Sequence, residues 1–156
     1  MKLNVILLFS FIIINSLHGQ FTEILGRPTD NSITISVLFD KTNQVYFEYD
    51  TIPGRYSKST TPFTALSGEA VEFDLTNLLP NTRYYYRTKY KTISELSYSN
   101  GNEHSFITQR SIGSTFTFTI EADEHLYDKK GYRPLYERTI SNQILDKPDF
   151  VISLGD

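Results

Sequence analysis

The sequence contains no cysteine and no tryptophan among its 156 residues. Without cysteine, the chain has neither a disulfide scaffold nor a thiolate ligand for a metal. Its lysines and arginines are scattered and its formal net charge is -3, so the basic run that marks nucleic-acid-binding proteins is missing. Nucleic acid is therefore not an expected partner. The rest is ordinary globular composition, 39% hydrophobic and 21% charged, in a length that fits one sizeable domain or two small ones.

The first residues have the pattern of an export signal. Lys2 supplies the positive start, and the apolar run Leu3–Leu17 follows it. This run is shorter than the ~20 apolar residues that a membrane-spanning helix needs, so we predict no stable membrane span, with a retained membrane helix as the alternative. We predict that Met1–Gly19 is a signal peptide, that Gln20 begins the mature chain, and that the protein is secreted or periplasmic.

Short segments of alternating polar and apolar residues follow, separated by turn-forming residues. Such spacing is typical of an antiparallel β-sandwich, which we predict over residues 20–110. The predicted strands are Ser32–Phe39, Gln44–Tyr49, Val71–Leu75, Arg83–Lys91 and Ser105–Thr108. The predicted turns include Asp40–Asn43, Pro53-Gly54, Pro80-Asn81 and Asn100-Gly101-Asn102.

One segment of this region resembles the fibronectin type III pattern Leu-x-Pro-x-Thr-x-Tyr-x-aromatic. It runs from Leu78 to Tyr86, and Tyr84 holds the place of the tyrosine-corner residue, whose ring packs inward while its hydroxyl returns to the backbone of the preceding turn. Such domains commonly carry a core tryptophan, and Val37 stands at that place here. The many tyrosines and phenylalanines lie at strand spacing, so we expect them to pack in the core or on the sheet faces rather than to form a carbohydrate- or base-stacking surface.

After a polar stretch at residues 109–114, where we place a domain boundary, the pattern changes. Phe116–Ile120 and Phe150–Leu154 are two apolar strands. Between them Pro134–Leu145 has apolar residues at helical spacing, with proline in the first turn. We therefore predict an all-β amino-terminal sandwich followed, over residues 115–156, by the first β-α-β unit of an incomplete α/β domain.

Metal-ligating residues follow both of these apolar strands. Asp123 and His125 come after the first, and Asp156 comes after the second. Because parallel strands end at the same edge of a sheet, about 4.8 Å apart, we expect the three side chains to meet. In extended chain, residues two apart point to the same side, so Asp123 and His125 are predicted to chelate one ion. Carboxylates with imidazole suit zinc, iron or manganese.

These residues resemble the first two signature motifs, Asp-x-His and Gly-Asp-x-x-Asp, of the calcineurin-like metallophosphoesterases. The preceding sandwich is similar to the amino-terminal domain of purple acid phosphatases, which tend to have Asp-x-Gly at the first motif. The resemblance implies that Asp123 and His125 bind one of two metal ions (Fe, Zn or Mn), that Asp156 bridges both, and that the protein hydrolyses phosphate mono- or diesters with a metal-bound hydroxide. The later motifs of the family would lie beyond Asp156, so the chain alone is expected to be inactive.

Other charged residues flank this predicted site. Glu121 and Glu124 are interpreted as solvated loop acids, with a supporting role for the metal ligands as the alternative. Lys129, Lys130 and Arg133 are likewise interpreted as solvated, with contact to substrate phosphate as the alternative. Two other functional classes remain open: a non-enzymatic extracellular binding or adhesion module built on the sandwich, and a different α/β enzyme, such as a receiver domain or a haloacid-type phosphatase.

Overall fold

The computed structural model describes residues 21–127 and 129–155. The predicted signal peptide and Asp156 lie outside these residues. Ten strands and one helix are formed within them. The strands are β1 (Phe21–Gly26), β2 (Ile33–Phe39), β3 (Asn43–Asp50), β4 (Lys58–Ser59), β5 (Phe63–Ala65), β6 (Ala70–Leu75), β7 (Arg83–Thr92), β8 (Ser99–Ile107), β9 (Phe118–Glu121) and β10 (Phe150–Ser153), and the helix is α1 (Arg133–Leu145). No helix among the described residues is long and apolar enough to cross a membrane.

The first eight strands form the predicted antiparallel sandwich. One sheet has the order β1-β2-β6, and the other has the order β4-β3-β7-β8 with β5 also paired to β3. Alternate residues of the long strands are buried, as in Val45, Phe47 and Tyr49 of β3, because successive side chains of a strand point to opposite faces. The core therefore lies between the two sheets, and this part of the predicted fold class is confirmed.

Aromatic side chains dominate this core. Phe47 of one sheet meets Phe73 of the other with ring centroids 5.0 Å apart, and Tyr84 stacks on Phe106 at 5.6 Å. Val37, at the place where tryptophan is common, is fully buried. Most of the aromatic residues thus pack in the interior or on a sheet face, as predicted, although Phe63 is more than half exposed.

The tyrosine corner is present. The Tyr84 ring is buried, and its hydroxyl accepts a hydrogen bond of 2.9 Å from the backbone N–H of Leu79. This bond fixes the turn that leads into β7. The motif that carries the fibronectin-like resemblance therefore has the geometry that the sequence predicts.

One predicted turn is wrong. Asn100-Gly101-Asn102 lies inside β8, opposite an irregularity in β7 between Arg87 and Lys89. A Cβ at Gly101 would lie 3.2 Å from the Phe21 ring and 3.3 Å from the Thr88 Cβ. The glycine therefore allows the close approach of β1 to this sheet, which is one of the ordinary reasons for glycine in a strand.

The second unit is a β-α-β unit, as predicted. β9 and β10 pair in parallel, with Phe118 opposite Phe150 and Glu121 opposite Ser153. Helix α1 lies between them in sequence, and proline occupies its first turn. The helix is poorly covered: none of its residues is buried, and Ile144 is 66% exposed.

Candidate metal centre

The carboxyl ends of β9 and β10 are joined by backbone hydrogen bonds beyond the strands themselves. The Leu154 N–H donates to the Glu121 carbonyl at 3.0 Å, and the Asp123 N–H donates to the Gly155 carbonyl at 3.0 Å. The parallel pairing therefore continues to the residue that precedes Asp156. The two segments predicted to carry metal ligands are thus adjacent, although Asp156 itself lies outside the described residues.

The local backbone differs from the extended chain assumed for Asp123 and His125. Both residues adopt left-handed conformations, with φ of 56° and 47° respectively. Regular β9 ends at Glu121, so alternation of side chains no longer applies two residues later. Asp and His tolerate this conformation better than most residues, yet non-glycine residues with positive φ are uncommon and concentrate at functional sites. The geometric reason given for joint chelation was therefore wrong, while the assignment of these residues as ligands stays a prediction.

Asp123 and His125 line the same cleft, which has a volume of about 250 Å³. Its walls come from the end of β9, the loop that follows, and the first two turns of α1. The lining residues are Glu121, Ala122, Asp123, Glu124, His125, Lys130, Gly131, Tyr132, Leu135, Tyr136 and Thr139. The cleft is strongly acidic, since three carboxylates face it and one lysine offsets them.

Glu121 is not simply a solvated loop acid, because its side chain is hydrogen-bonded to helix α1 within the cleft. The Tyr136 hydroxyl of α1 donates a hydrogen bond of 3.2 Å to its Oε1. Burial, followed by the charges of Glu121 and Glu124, raises the pKa of Tyr136, so its hydroxyl keeps the proton that it donates. This bond connects the helix to the end of β9 beside Asp123.

Two carboxylate oxygens in the cleft have no hydrogen-bond partner among the described residues. They are Oε2 of Glu121 and Oε2 of Glu124, and both are buried. Buried polar atoms normally have partners, and an orphaned carboxylate oxygen needs a proton, a donor or a cation. The sequence did indicate the acidity of these positions, but not that their oxygens would be withdrawn from water, because burial depends on tertiary packing.

The fit of this cleft to a metal is partial. Carboxylate and imidazole are suitable donors for zinc, iron or manganese, and a cation would give the two orphaned oxygens a partner. Within residues 21–127 and 129–155, however, no three His, Asp or Glu side chains lie close enough together to hold an ion. Asp123 and His125 are two of the three predicted ligands, and the third, Asp156, lies outside the described residues.

The three basic residues near the predicted site differ in their position relative to the cleft. Lys129 and Lys130 are both exposed, but only Lys130 lines the cleft. Arg133 is also exposed and its Nε lies 2.8 Å from a carboxylate oxygen of Glu137, one turn along the helix. Of the three, only Lys130 is positioned beside Asp123 and His125.

Comparison with known proteins gives the fold but not a family. No family model and no curated protein matches the chain. The structure of PhoD is similar with a TM-score of 0.51 and 20% identity, covering 86% of this chain and 27% of the PhoD chain. A coverage of 86% exceeds the extent of the sandwich, so the likeness includes the β-α-β unit. This chain thus spans about a quarter of the length of PhoD and shares its fold over that part.

Two weaker likenesses each cover 58% of this chain. The sensor domain of the anti-sigma factor RsgI4 of Pseudobacteroides cellulosolvens gives a TM-score of 0.46 at 14% identity over 58% of this chain and 74% of that one. A computationally redesigned β-sandwich protein gives 0.41 at 21% identity over 58% of this chain and 93% of that one. They add no evidence on function.

Proposed function

We propose that this chain carries the amino-terminal sandwich and the first β-α-β unit of an exported, metal-dependent phosphoesterase that hydrolyses phosphate mono- or diesters. The observation that carries the proposal is the hydrogen bond from the Asp123 N–H to the Gly155 carbonyl. It supports a shared site for the Asp-x-His and Gly-Asp segments at the carboxyl edge of a parallel sheet, where α/β proteins bind their ligands. The fold shared with PhoD supports the order of the two units.

In this proposal Asp123, His125 and Asp156 would hold the metal ions. When bound, two zinc, iron or manganese ions supply Lewis acidity and activate water for attack on phosphorus. The residues of this chain bind the cations and orient the ligand side chains. Glu121 is fixed by Tyr136 and, with Glu124, adds negative charge that favours cation binding, while the left-handed turns at Asp123 and His125 set the direction of the ligands.

The β-α-β unit exposes apolar residues that a complete catalytic domain would cover. Phe116, Phe118 and Phe150 form a stack with centroids 5.4 to 6.1 Å apart, and each is 45–57% exposed. Parallel sheets are normally covered on both faces. We therefore propose that activity belongs to a longer protein in which this surface is packed against further elements, and that residues 1–156 alone have none.

The experiment is hydrolysis of aryl phosphate mono- and diesters by a longer protein that begins with this chain, with zinc, manganese or iron added. Asp156→Ala should lower kcat/KM by roughly a thousandfold or more, because one substitution removes the bridge to both ions and each ~1.4 kcal/mol of lost transition-state stabilisation is a tenfold loss. The melting temperature should change little. A variant with near-full activity and an unchanged melt would rule out this role of Asp156 and, with it, the phosphoesterase proposal.

The alternative function, a non-enzymatic binding module, depends on the sandwich alone. Among the described aromatic residues, most lie in its core or on a packed sheet face, so they offer little stacking surface for a ligand. The acidic cleft at the end of β9 would have no role in such a module.

A further inference from the structure

The loop between β9 and α1 is folded back tightly at Gly131. A Cβ at this position would lie 2.1 Å from the His125 carbonyl oxygen, 2.6 Å from its carbonyl carbon and 3.0 Å from the Leu126 Cα. These atoms are backbone atoms, which cannot rotate away as a flexible side chain would. Only glycine fits at this point, so Gly131 packs directly against the backbone of His125, and the preceding residue, Lys130, lines the same cleft as His125.

The charges of the cleft give Lys130 a distinct position. Glu121, Asp123 and Glu124 make the lining acidic, and Lys130 is the one lysine or arginine among the described lining residues. A phosphate ester brings one or two further negative charges into this cleft. A lysine ammonium offers three donors as a compact charge and is a common phosphate ligand, so it would offset the repulsion from the carboxylates.

We propose that Lys130 binds a non-bridging oxygen of the substrate's phosphate, and that Gly131 is the positioning residue that holds Lys130 beside Asp123 and His125. This assignment rests on the proposed phosphoesterase function and adds to it a substrate-binding residue outside the metal ligands. It makes the substrate class an anionic phosphate ester whose phosphate group enters at the loop side of the cleft. Lys129 has no part in it, because it does not line the cleft, although both lysines are exposed.

The test is a titration of the isotopically labelled chain with inorganic phosphate, followed by NMR, with and without Zn²⁺. Phosphate should shift the amide signals of Lys130 and Gly131. Lys130→Ala should weaken phosphate binding about tenfold, in line with the loss of one charge-assisted contact. Lys130→Arg should retain part of the affinity, and the matched control Lys129→Ala should stay within about twofold of the unmodified chain at the same ionic strength.

A second pair of variants tests the role of the glycine. Gly131→Ala should weaken phosphate binding as Lys130→Ala does and should shift the His125 signals, because the added methyl group displaces the His125 carbonyl. Gly26→Ala is the control, since a Cβ there meets no atom within 4 Å. Thermal melts of each variant report whether the sandwich is intact. Equal phosphate affinities for Lys130→Ala and Lys129→Ala would overturn the proposal, as would an unchanged affinity in Gly131→Ala.

Zinc affinity measured on the same samples separates this inference from the proposed function. If Asp123→Asn abolishes zinc binding while Lys130→Ala leaves the phosphate affinity unchanged, the proposed role of Lys130 is wrong and the proposed metal site is supported. Absence of zinc binding by the unmodified chain would count against the proposed function. The titration without Zn²⁺ would then still decide whether Lys130 binds phosphate.

Discussion

Removal of the Tyr84 hydroxyl is expected to destabilise the sandwich well beyond the loss of an ordinary surface contact. The ring is 2% exposed and stacks on Phe106, so Tyr84→Phe keeps the packing and removes only the oxygen. That oxygen accepts the 2.9 Å hydrogen bond from the Leu79 N–H. The substitution therefore isolates the contribution of the tyrosine corner.

The magnitude follows from the donor that is left behind. A buried N–H without a partner costs about 1–3 kcal/mol, and we expect about 1–2 kcal/mol because the Leu79 side chain is 62% exposed and water can approach this turn. For a domain of this size, ~1 kcal/mol corresponds to about 4–8 °C in melting temperature, so Tyr84→Phe should melt roughly 5–10 °C lower.

The assay is a thermal melt of the chain followed by circular dichroism, with Tyr85→Phe as the matched control. Tyr85 is the next residue of β7, is half-buried, and points to the opposite face of the sheet. Its substitution should shift the melt by no more than about 2 °C, since surface changes usually stay within ~0.5 kcal/mol. Equal shifts for the two variants would refute the argument that the hydrogen bond fixes the turn.

Two further predictions concern the amino-terminal strand and the boundary between the units. Burial raises the pKa of Glu23 from 4.5 to about 7, against a lowering hydrogen bond from Tyr86, so the contribution of Glu23 to stability is fully present below pH 4.5 and is lost as pH rises through 7. Chemical denaturation between these two pH values should show that fall, and Glu23→Gln should flatten it. Limited proteolysis should cut near Arg110–Ser114, where the residues are exposed. Asp149→Ala should speed this cleavage, because it removes the 2.7 Å ion pair with Arg110. Cleavage that occurs first inside the sandwich would contradict the predicted boundary.

Patterns that depend on neighbouring residues in sequence were predicted well. The tyrosine corner, strands such as β2 and β3, and helix α1 all follow from local periodicity and turn chemistry, and the structure confirms them. β4 and β5 were not predicted, because they have two and three residues, too few for alternation to be recognised.

Features that depend on distant contacts were not predicted. β1 packs against the interior of β8 at Gly101, which lies close to the Phe21 ring of the opposite sheet. Asn100-Gly101-Asn102 therefore forms part of a strand because of tertiary packing, although its sequence favours a turn. At the site, the acidic residues were found by composition, but the left-handed turn at Asp123 and the bond from Tyr136 to Glu121 depend on how α1 packs. Local spacing carries no information on either.

We propose above that Asp123 and His125 form part of a metal site at the joined ends of β9 and β10. Its most direct test is paramagnetic broadening of the amide signals of the labelled chain by substoichiometric Mn²⁺. We expect broadening centred on Asp123, His125 and Gly155, and its loss in Asp123→Asn. Asp146→Asn should leave the broadening unchanged, because it alters the carboxylate at the far end of α1, ~20 Å along a 13-residue helix. Broadening that is spread evenly over the acidic surface, or that persists unchanged in Asp123→Asn, would contradict it.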